Sequence, residues 1–300
     1  MANAHSFSGI ALWKGGANLI PRVFATNKRR TLPLPSYASY NRFMSLTHPT
    51  SILITGASSG IGRALALSYA GHGTTVHLSG RDQARVDAVA QECRDRGADA
   101  HGKVIDVTDA DAMTAWIKEV DAATPLDLVI ANAGITNSTS GLPAGAERTR
   151  RILAVNVDGV VNTVLPALAA MGGRDKGQIA IMASIAGFRG LPTSSAYSAS
   201  KAMVKVWGEA LRGERLTTGV RINVVCPGWV ESRITDANTF DMPFLMQTDR
   251  AAAIIRRGLA RDKARIVFPW PMHLAVWILS LLPPAWTDPI LNRKLAGREW

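Results

Sequence analysis

Cysteine is almost absent: Cys93 and Cys226 are the only two in 300 residues. A single pair excludes a disulfide scaffold and any zinc-finger pattern, and it suits a reducing compartment. The six histidines show no HExxH or other ligand spacing, so no metal is expected. Charged residues are sparse at 19%, yet hydrophobic ones reach 47%, which excludes a wholly disordered chain. A chain of this length can bury a full core without disulfides or metal. The apolar run Met272–Leu282 is too short for the ~20 residues that a bilayer crossing needs.

Acid is missing from the N-terminal quarter. No Asp or Glu occurs before Asp82, while residues 1–43 hold Lys14, Arg22, Lys28, Arg29, Arg30 and Arg42. Six of the charges in the formal balance of +11 therefore belong to an appendage. No recognisable nucleic-acid-reading module accompanies them, so no nucleic-acid partner is expected. Residues 1–43 lack a sustained apolar period, and Thr31–Ser36 is punctuated by Pro33 and Pro35, as in an extended linker. Basic, Ser-bearing and acid-free, the segment resembles an organelle transit peptide; a start read too early, with Met44 opening the domain, is the plainer account. On either account it stands outside the fold.

From Ser51 onward short apolar runs alternate with longer helix-patterned stretches, as a βαβ array requires. Strands are expected at 52–54, 75–78, up to 105, 128–130, 179–182, 220–225 and 265–268. Helices are expected near 61–70, 83–95, 110–120, 146–171 and 196–216. The array predicts an α/β fold in one domain, a doubly wound parallel sheet of the Rossmann type with ligands at the carboxyl edge. The chain is read as a basic extension (1–43), a catalytic domain (44–270) and an apolar helical extension (271–300).

Between the first strand and the first helix stands Thr55-Gly56-Ala57-Ser58-Ser59-Gly60-Ile61-Gly62. Gly56 permits a sharp turn, Gly60 a close approach of backbone to pyrophosphate, and Gly62 tight packing of the helix, whose N-terminal N–H groups face the negative charge. The TGxxxGxG spacing in this position resembles the short-chain dehydrogenase/reductase family, over roughly residues 50–270. Further motifs arrive in that family's order. The resemblance implies that Asp106-Val107 contacts adenine, that Asn132-Ala133-Gly134 supports the sheet and lines the cofactor, and that Pro227-Gly228 and Val230 lie near the nicotinamide. Ser232 stands where the family often has Thr, keeping a hydroxyl for the carboxamide. At the end of the second strand Gly80 takes the place of the acid that NAD-preferring relatives use, and Arg81 follows it. A guanidinium there can fork onto a 2′-phosphate, so NADP(H) is favoured over NAD(H).

Tyr197 and Lys201 lie four apart, one turn along a helical face, and Ser184 precedes Tyr197 by thirteen residues at the end of the fifth strand. With Asn156 they resemble the family's catalytic tetrad. An unperturbed phenol, with a pKa near ~10, is a sluggish acid at neutral pH. The Lys201 ammonium is expected to lower that value. Tyr197 would then protonate a carbonyl oxygen as hydride arrives from the nicotinamide, and Ser184 would orient that oxygen. The resemblance further implies that Lys201 holds the nicotinamide ribose and that Asn156 positions a proton-relaying water. Cys226 is expected to be buried and inert. Arg148, Arg150 and Arg151 are expected on a solvated helix face.

The family resemblance further implies that substrate identity lies largely after Pro227-Gly228. Phe240, Met242, Pro243, Phe244, Leu245 and Met246 form an apolar set suited to a lid. Met272–Leu282, bounded by Pro271 and Pro283, is expected to form a short helix burying Leu274, Trp277, Ile278 and Leu281 as one stripe. It would either cover the substrate pocket, meet a second subunit, or contact a membrane peripherally through Trp270, Trp277 and Trp286. The expected function is an NADP(H)-dependent oxidoreductase of a carbonyl or secondary alcohol, with a hydrophobic substrate. A 3-oxoacyl or lipid-ketone reductase is the alternative, and a catalytically silent nucleotide sensor the alternative of another class. A homo-oligomer is expected, cytoplasmic or membrane-associated, or in an organelle matrix if residues 1–43 are a transit peptide.

Overall fold

A computed structural model of the chain describes residues 48–232, 235 and 242–295. The expected N-terminal extension lies outside the described residues, as does Phe240 of the expected lid. Seven strands form one parallel sheet: β1 (Ser51–Ile54), β2 (Thr75–Gly80), β3 (Asp99–Val104), β4 (Leu128–Ala131), β5 (Gly177–Met182), β6 (Val220–Pro227) and β7 (Arg265–Phe268). Their order is β3-β2-β1-β4-β5-β6-β7, so the winding reverses between β1 and β4. A parallel sheet opens a crevice for ligands at that reversal, beyond the strands' carboxyl ends.

Nine α-helices among the described residues connect and extend the sheet: α1 (Gly60–Tyr69), α2 (Gln83–Asp95), α3 (Ala110–Ala123), α4 (Ala146–Leu153), α5 (Gly159–Gly173), α6 (Ser195–Glu214), α7 (Thr248–Ala260), α8 (Trp270–Leu281) and α9 (Pro284–Leu295). Side chains alternate across the sheet. Ile52 and Ile54 pack with α1, α2 and α7, while Leu53 packs with α3, α5 and α6 on the other face. All three are fully buried, each stabilising the fold by about 1.5–3 kcal/mol. Both faces being covered, the central strands read as unbroken apolar runs rather than as alternating ones.

The long helix expected near 146–171 is not regular. A π-helical turn, Ala154–Asp158, separates α4 from α5. Hydrogen bonds from the Asn156 side chain anchor this turn to the segment after β4 and to α6, and residue spacing alone does not reveal them.

The C-terminal extension requires a larger correction. Residues 270–281 do form a helix, but Leu274, Trp277, Ile278 and Leu281 are not buried; they are 45–63% exposed. The opposite stripe, Met272, Val276 and Leu279, faces the crevice instead. A helix that is apolar all round carries no sequence signal for which side turns inward. The choice falls to packing: a Cβ added to Gly228 would stand 2.6 Å from the Met272 sulfur. A bare backbone at 228 lets α8 settle with Met272 inward.

Candidate active site

A cleft of about 470 Å3 opens at the carboxyl ends of β1, β2, β4, β5 and β6. Every residue predicted for the site lines it except Thr55 and Asn156, which support it from beneath. The Thr55 hydroxyl accepts hydrogen bonds from the backbone N–H groups of Asn132 and Ala133 at 3.1 and 3.2 Å. The Asn132 amide donates to the carbonyls of Thr55 and Gly56, both at 3.0 Å. These bonds lock the β1 and β4 loops together. Thr55 is therefore a strut between the two loops.

The glycine loop keeps its backbone open. Gly56 and Gly60 have φ of +65° and +55°, a left-handed conformation that strains other residues. A Cβ on Gly62 would meet the Gly56 carbonyl at 2.3 Å, so α1 can start only where no side chain intervenes. Ser59 precedes α1 without a side-chain capping bond, and the first turn of α1 holds no acid. By contrast, Asp82 and Asp109 cap α2 and α3. The free N–H groups of α1 thus point into the cleft and fit a pyrophosphate. At the end of β2 the Ser79 hydroxyl is buried without a partner among the described residues, and Arg81 and Arg85 line the same cleft. A polar nucleotide fits this arrangement.

Ser184, Tyr197 and Lys201 converge on the cleft from β5 and α6. Ser184 accepts a hydrogen bond from the Ala186 N–H at 3.1 Å, which holds its hydroxyl at the mouth of a short 3-10 turn, and it bonds the Tyr197 phenol. Burial raises the Tyr197 pKa above its ordinary value, and the bond to Ser184 offsets this only in part. Burial therefore outweighs the lowering expected from a neighbouring ammonium. The Lys201 ammonium donates to the Met182 carbonyl at 2.9 Å and stands 5.9 Å from the tyrosine ring centroid. Burial brings Lys201 itself down to about 8.

Asn156 is fully buried. It accepts from the Ile135 N–H at 2.8 Å and donates to the Ile135 carbonyl and the Ser200 hydroxyl at 2.9 and 3.0 Å. A Cβ on Gly134 would lie 3.2 Å from both Asn156 Oδ1 and Lys201 Nζ, so the glycine admits both groups. Asp106 reaches the cleft, but its carboxylate is engaged by Thr108 and by Arg151 at 2.9 Å. Burial alone would raise its pKa; these donors overcome that and hold it at about 2. Arg151 thus ties α4 to the strand-three loop instead of joining a purely solvated face. Cys226 is buried, and burial pushes its thiol up to about 12, so it stays protonated.

The chain matches the short chain dehydrogenase family over residues 50–242. An uncharacterized oxidoreductase of Myxococcus xanthus is 40% identical over 242 residues, covering 80% of this chain and 96% of the relative. A 3-oxoacyl-[acyl-carrier-protein] reductase of Staphylococcus aureus is 31% identical, covering 75% and 96%. Among solved structures, a short-chain dehydrogenase from Sphingobium yanoikuyae in complex with NADPH is 25% identical, with a TM-score of 0.67 over 81% of this chain and 93% of that one. This chain belongs to the short-chain dehydrogenase/reductase family.

A short-chain dehydrogenase is an oxidoreductase acting on CH–OH or C=O groups with a nicotinamide cofactor. Sequence reading missed part of this one's cleft. Arg85, in the first turn of α2, lines it four residues beyond Arg81. Met272, Val276 and Leu279 stand at i, i+4 and i+7, as good a stripe as the one predicted to be buried. Ser194 and, on α9, Leu291 carried no signal in spacing. Of the expected lid, Pro243 lines the cleft, Met246 is buried beneath it, and Phe244 and Leu245 are exposed.

Gly80 also excludes the acid of NAD-preferring relatives. A Cβ there would stand 2.8 Å from Val86 and 3.1 Å from Ser58. Gly80→Asp is therefore expected to overpack this corner, costing roughly 1–3 kcal/mol of stability. It should weaken NADPH binding without creating tight NADH binding. Thermal melts and cofactor fluorescence titrations check this; a clean switch to NADH would contradict the crowding.

Proposed function

We propose that this enzyme reduces the ketone of a hydrophobic substrate with NADPH. The observation that carries the reading is the meeting of the Tyr197–Ser184 pair with an apolar wall built by Met272, Val276 and Leu279 in one cleft. When bound, the nicotinamide supplies or accepts a hydride. The chain's own residues manage the proton. Burial keeps the Tyr197 phenol protonated at neutral pH, which suits a donor to a carbonyl oxygen. Ser184 hydrogen-bonds the same oxygen and sets its direction. Lys201, at about 8, is charged at neutral pH and stabilises the tyrosinate left behind. Asn156 holds the Gly134–Ile135 backbone against Lys201.

NADP(H) preference is supported by Gly80, which admits no acid, and by Arg81, exposed at the cleft's rim beside Arg85. Arg85 is already paired with Asp82 at 2.8 Å, so Arg81 is the better candidate for a 2′-phosphate. Arg81→Ala should weaken NADPH binding by about 1.5–3 kcal/mol and NADH binding hardly at all. Equal losses in the two titrations would assign Arg81 to the helix instead.

A second reading concerns the outer face of α8 and α9. Trp270, Leu274, Trp277, Ile278, Leu281, Trp286 and Ile290 are all exposed, and residues 270–286 contain no charged side chain. Tryptophans around an uncharged apolar surface suit the boundary of a lipid bilayer, with α8 too short to span it. The inner face of α8 would then pass a hydrophobic substrate from lipid to cleft. Full-length protein should co-sediment with vesicles of mixed zwitterionic and anionic phospholipid, and Trp270→Ala/Trp286→Ala should not. A variant that changes oligomer size and not sedimentation would place a second copy on this face.

Tyr197→Phe tests the chemistry. It removes one hydroxyl and should abolish ketone-dependent NADPH oxidation while leaving folding and NADPH binding largely intact. Wild-type kcat in the variant would sink the assignment.

A further inference from the structure

Beyond the reacting groups, the substrate end of the cleft is mainly apolar, walled by Leu191, Met272, Val276, Leu279 and Leu291. One group breaks that character. Ser194 lines the cleft at 1% exposure, and its hydroxyl is buried without a hydrogen-bond partner among the described residues. Buried hydroxyls are nearly always paired, because leaving one unsatisfied is costly. The other hydroxyls nearby obey the rule: Thr136 bonds Ser138 at 2.9 Å, and Ser198 accepts from the Leu191 N–H at 3.3 Å.

Ser194 also declines the role its position offers. It immediately precedes α6, where serine commonly caps the helix through its side chain. Here no side-chain cap is made. Ser184 shows the contrast, since it caps the 3-10 turn by accepting from Ala186. The Ser194 backbone is nonetheless held firmly. Its N–H donates to the Leu191 carbonyl at 3.1 Å, and its carbonyl accepts from the Ser198 N–H at 2.8 Å. The preceding residue, Thr193, has a φ of +66°, a conformation rare for a β-branched residue, and its carbonyl accepts from Asn137 at 2.6 Å. A rigid loop thus holds an unused hydroxyl within the cleft wall, one helical turn before Tyr197.

Tyr197 and Ser184 already serve the reacting oxygen, so a third hydroxyl is free for a different atom. We propose that Ser194 is a specificity residue that hydrogen-bonds a second oxygen of the substrate, near its ketone, selecting oxygen-bearing ketones such as 3-oxo esters over plain ones. This rests on the ketone-reductase reading above and narrows its substrate class. An apolar chain would lie along α8 while Ser194 fixes which way round the ketone enters.

The test compares kcat/KM for a medium-chain 3-oxo ester and a ketone of equal length without the ester oxygens, in wild type, Ser194→Ala and Ser194→Thr. Wild type should favour the ester. In Ser194→Ala the ester-to-ketone ratio should fall about tenfold, mainly through KM for the ester, the scale of one hydrogen bond left unmade. Ser194→Thr keeps the hydroxyl and should recover most of that ratio. A ratio unchanged by Ser194→Ala, including an equal fall for both substrates, would overturn the proposal and make Ser194 a residue of the helix start. No wild-type preference for the ester would overturn it too, with the reductase reading intact. No wild-type turnover of either ketone, with NADPH still bound, would overturn the reductase reading itself and this proposal with it.

Discussion

Where β1 and β4 part, their loops meet backbone to backbone. A Cβ at Gly56 would stand 2.7 Å from the Cα of Ala133, and one at Gly62 would strike both the Gly56 carbonyl and the Asn132 amide. Thr55 and Asn132 then bond across the gap and hold the two loops in register. With this junction closed, the N-terminus of α1 is aimed into the cleft with its N–H groups free. Any side chain at either glycine would push α1 off the sheet and close the phosphate end. The same stretch after β4 continues to Gly134 and Ile135, which Asn156 grips from the π-helical turn. The glycine loop and Lys201 are thus positioned by one continuous set of close backbone contacts.

Burial governs the chemistry more than pairing does. Tyr197 is raised and Lys201 lowered, each mainly by desolvation, so the phenol keeps its proton and the ammonium loses some of its hold on one. Nearly equal when unperturbed, the two values move apart, with the phenol above the ammonium. Ser184 bonds the phenol and lines the same cleft, so the two hydroxyls are linked within it.

The C-terminal helices make one surface serve two surroundings. Met272, Val276 and Leu279 complete the cleft, whereas Leu274, Trp277, Ile278 and Leu281 face outward. Arg189 ties α9 back to the loop after the 3-10 turn, through Thr287 at 3.0 Å and Asp288 at 2.6 Å. The extension is therefore attached to the same segment that leads into Ser194 and Tyr197, and movement of one would be felt by the other.

The strands, the glycine loop and the Ser184–Tyr197–Lys201 set were legible in sequence because each depends on local chemistry: apolar runs, a turn that only glycine makes, and i, i+4 spacing on a helix. Gly80 and Arg81 were legible for the same reason. Other features were not. Thr55 and Asp106 look like cofactor ligands in a motif, but only the fold shows their polar atoms engaged by Asn132, Ala133, Thr108 and Arg151. The upward shift of Tyr197 depends on how much protein surrounds it, which no spacing reports. The inward face of α8 depends on which stripe finds a partner, and both stripes were equally apolar until Gly228 made room for Met272. Sequence alone determined the elements and the reactive groups they carry, since covalent neighbours set those. Tertiary structure alone decided desolvation, facing and hydrogen-bond occupancy, because these are properties of residues far apart in the chain.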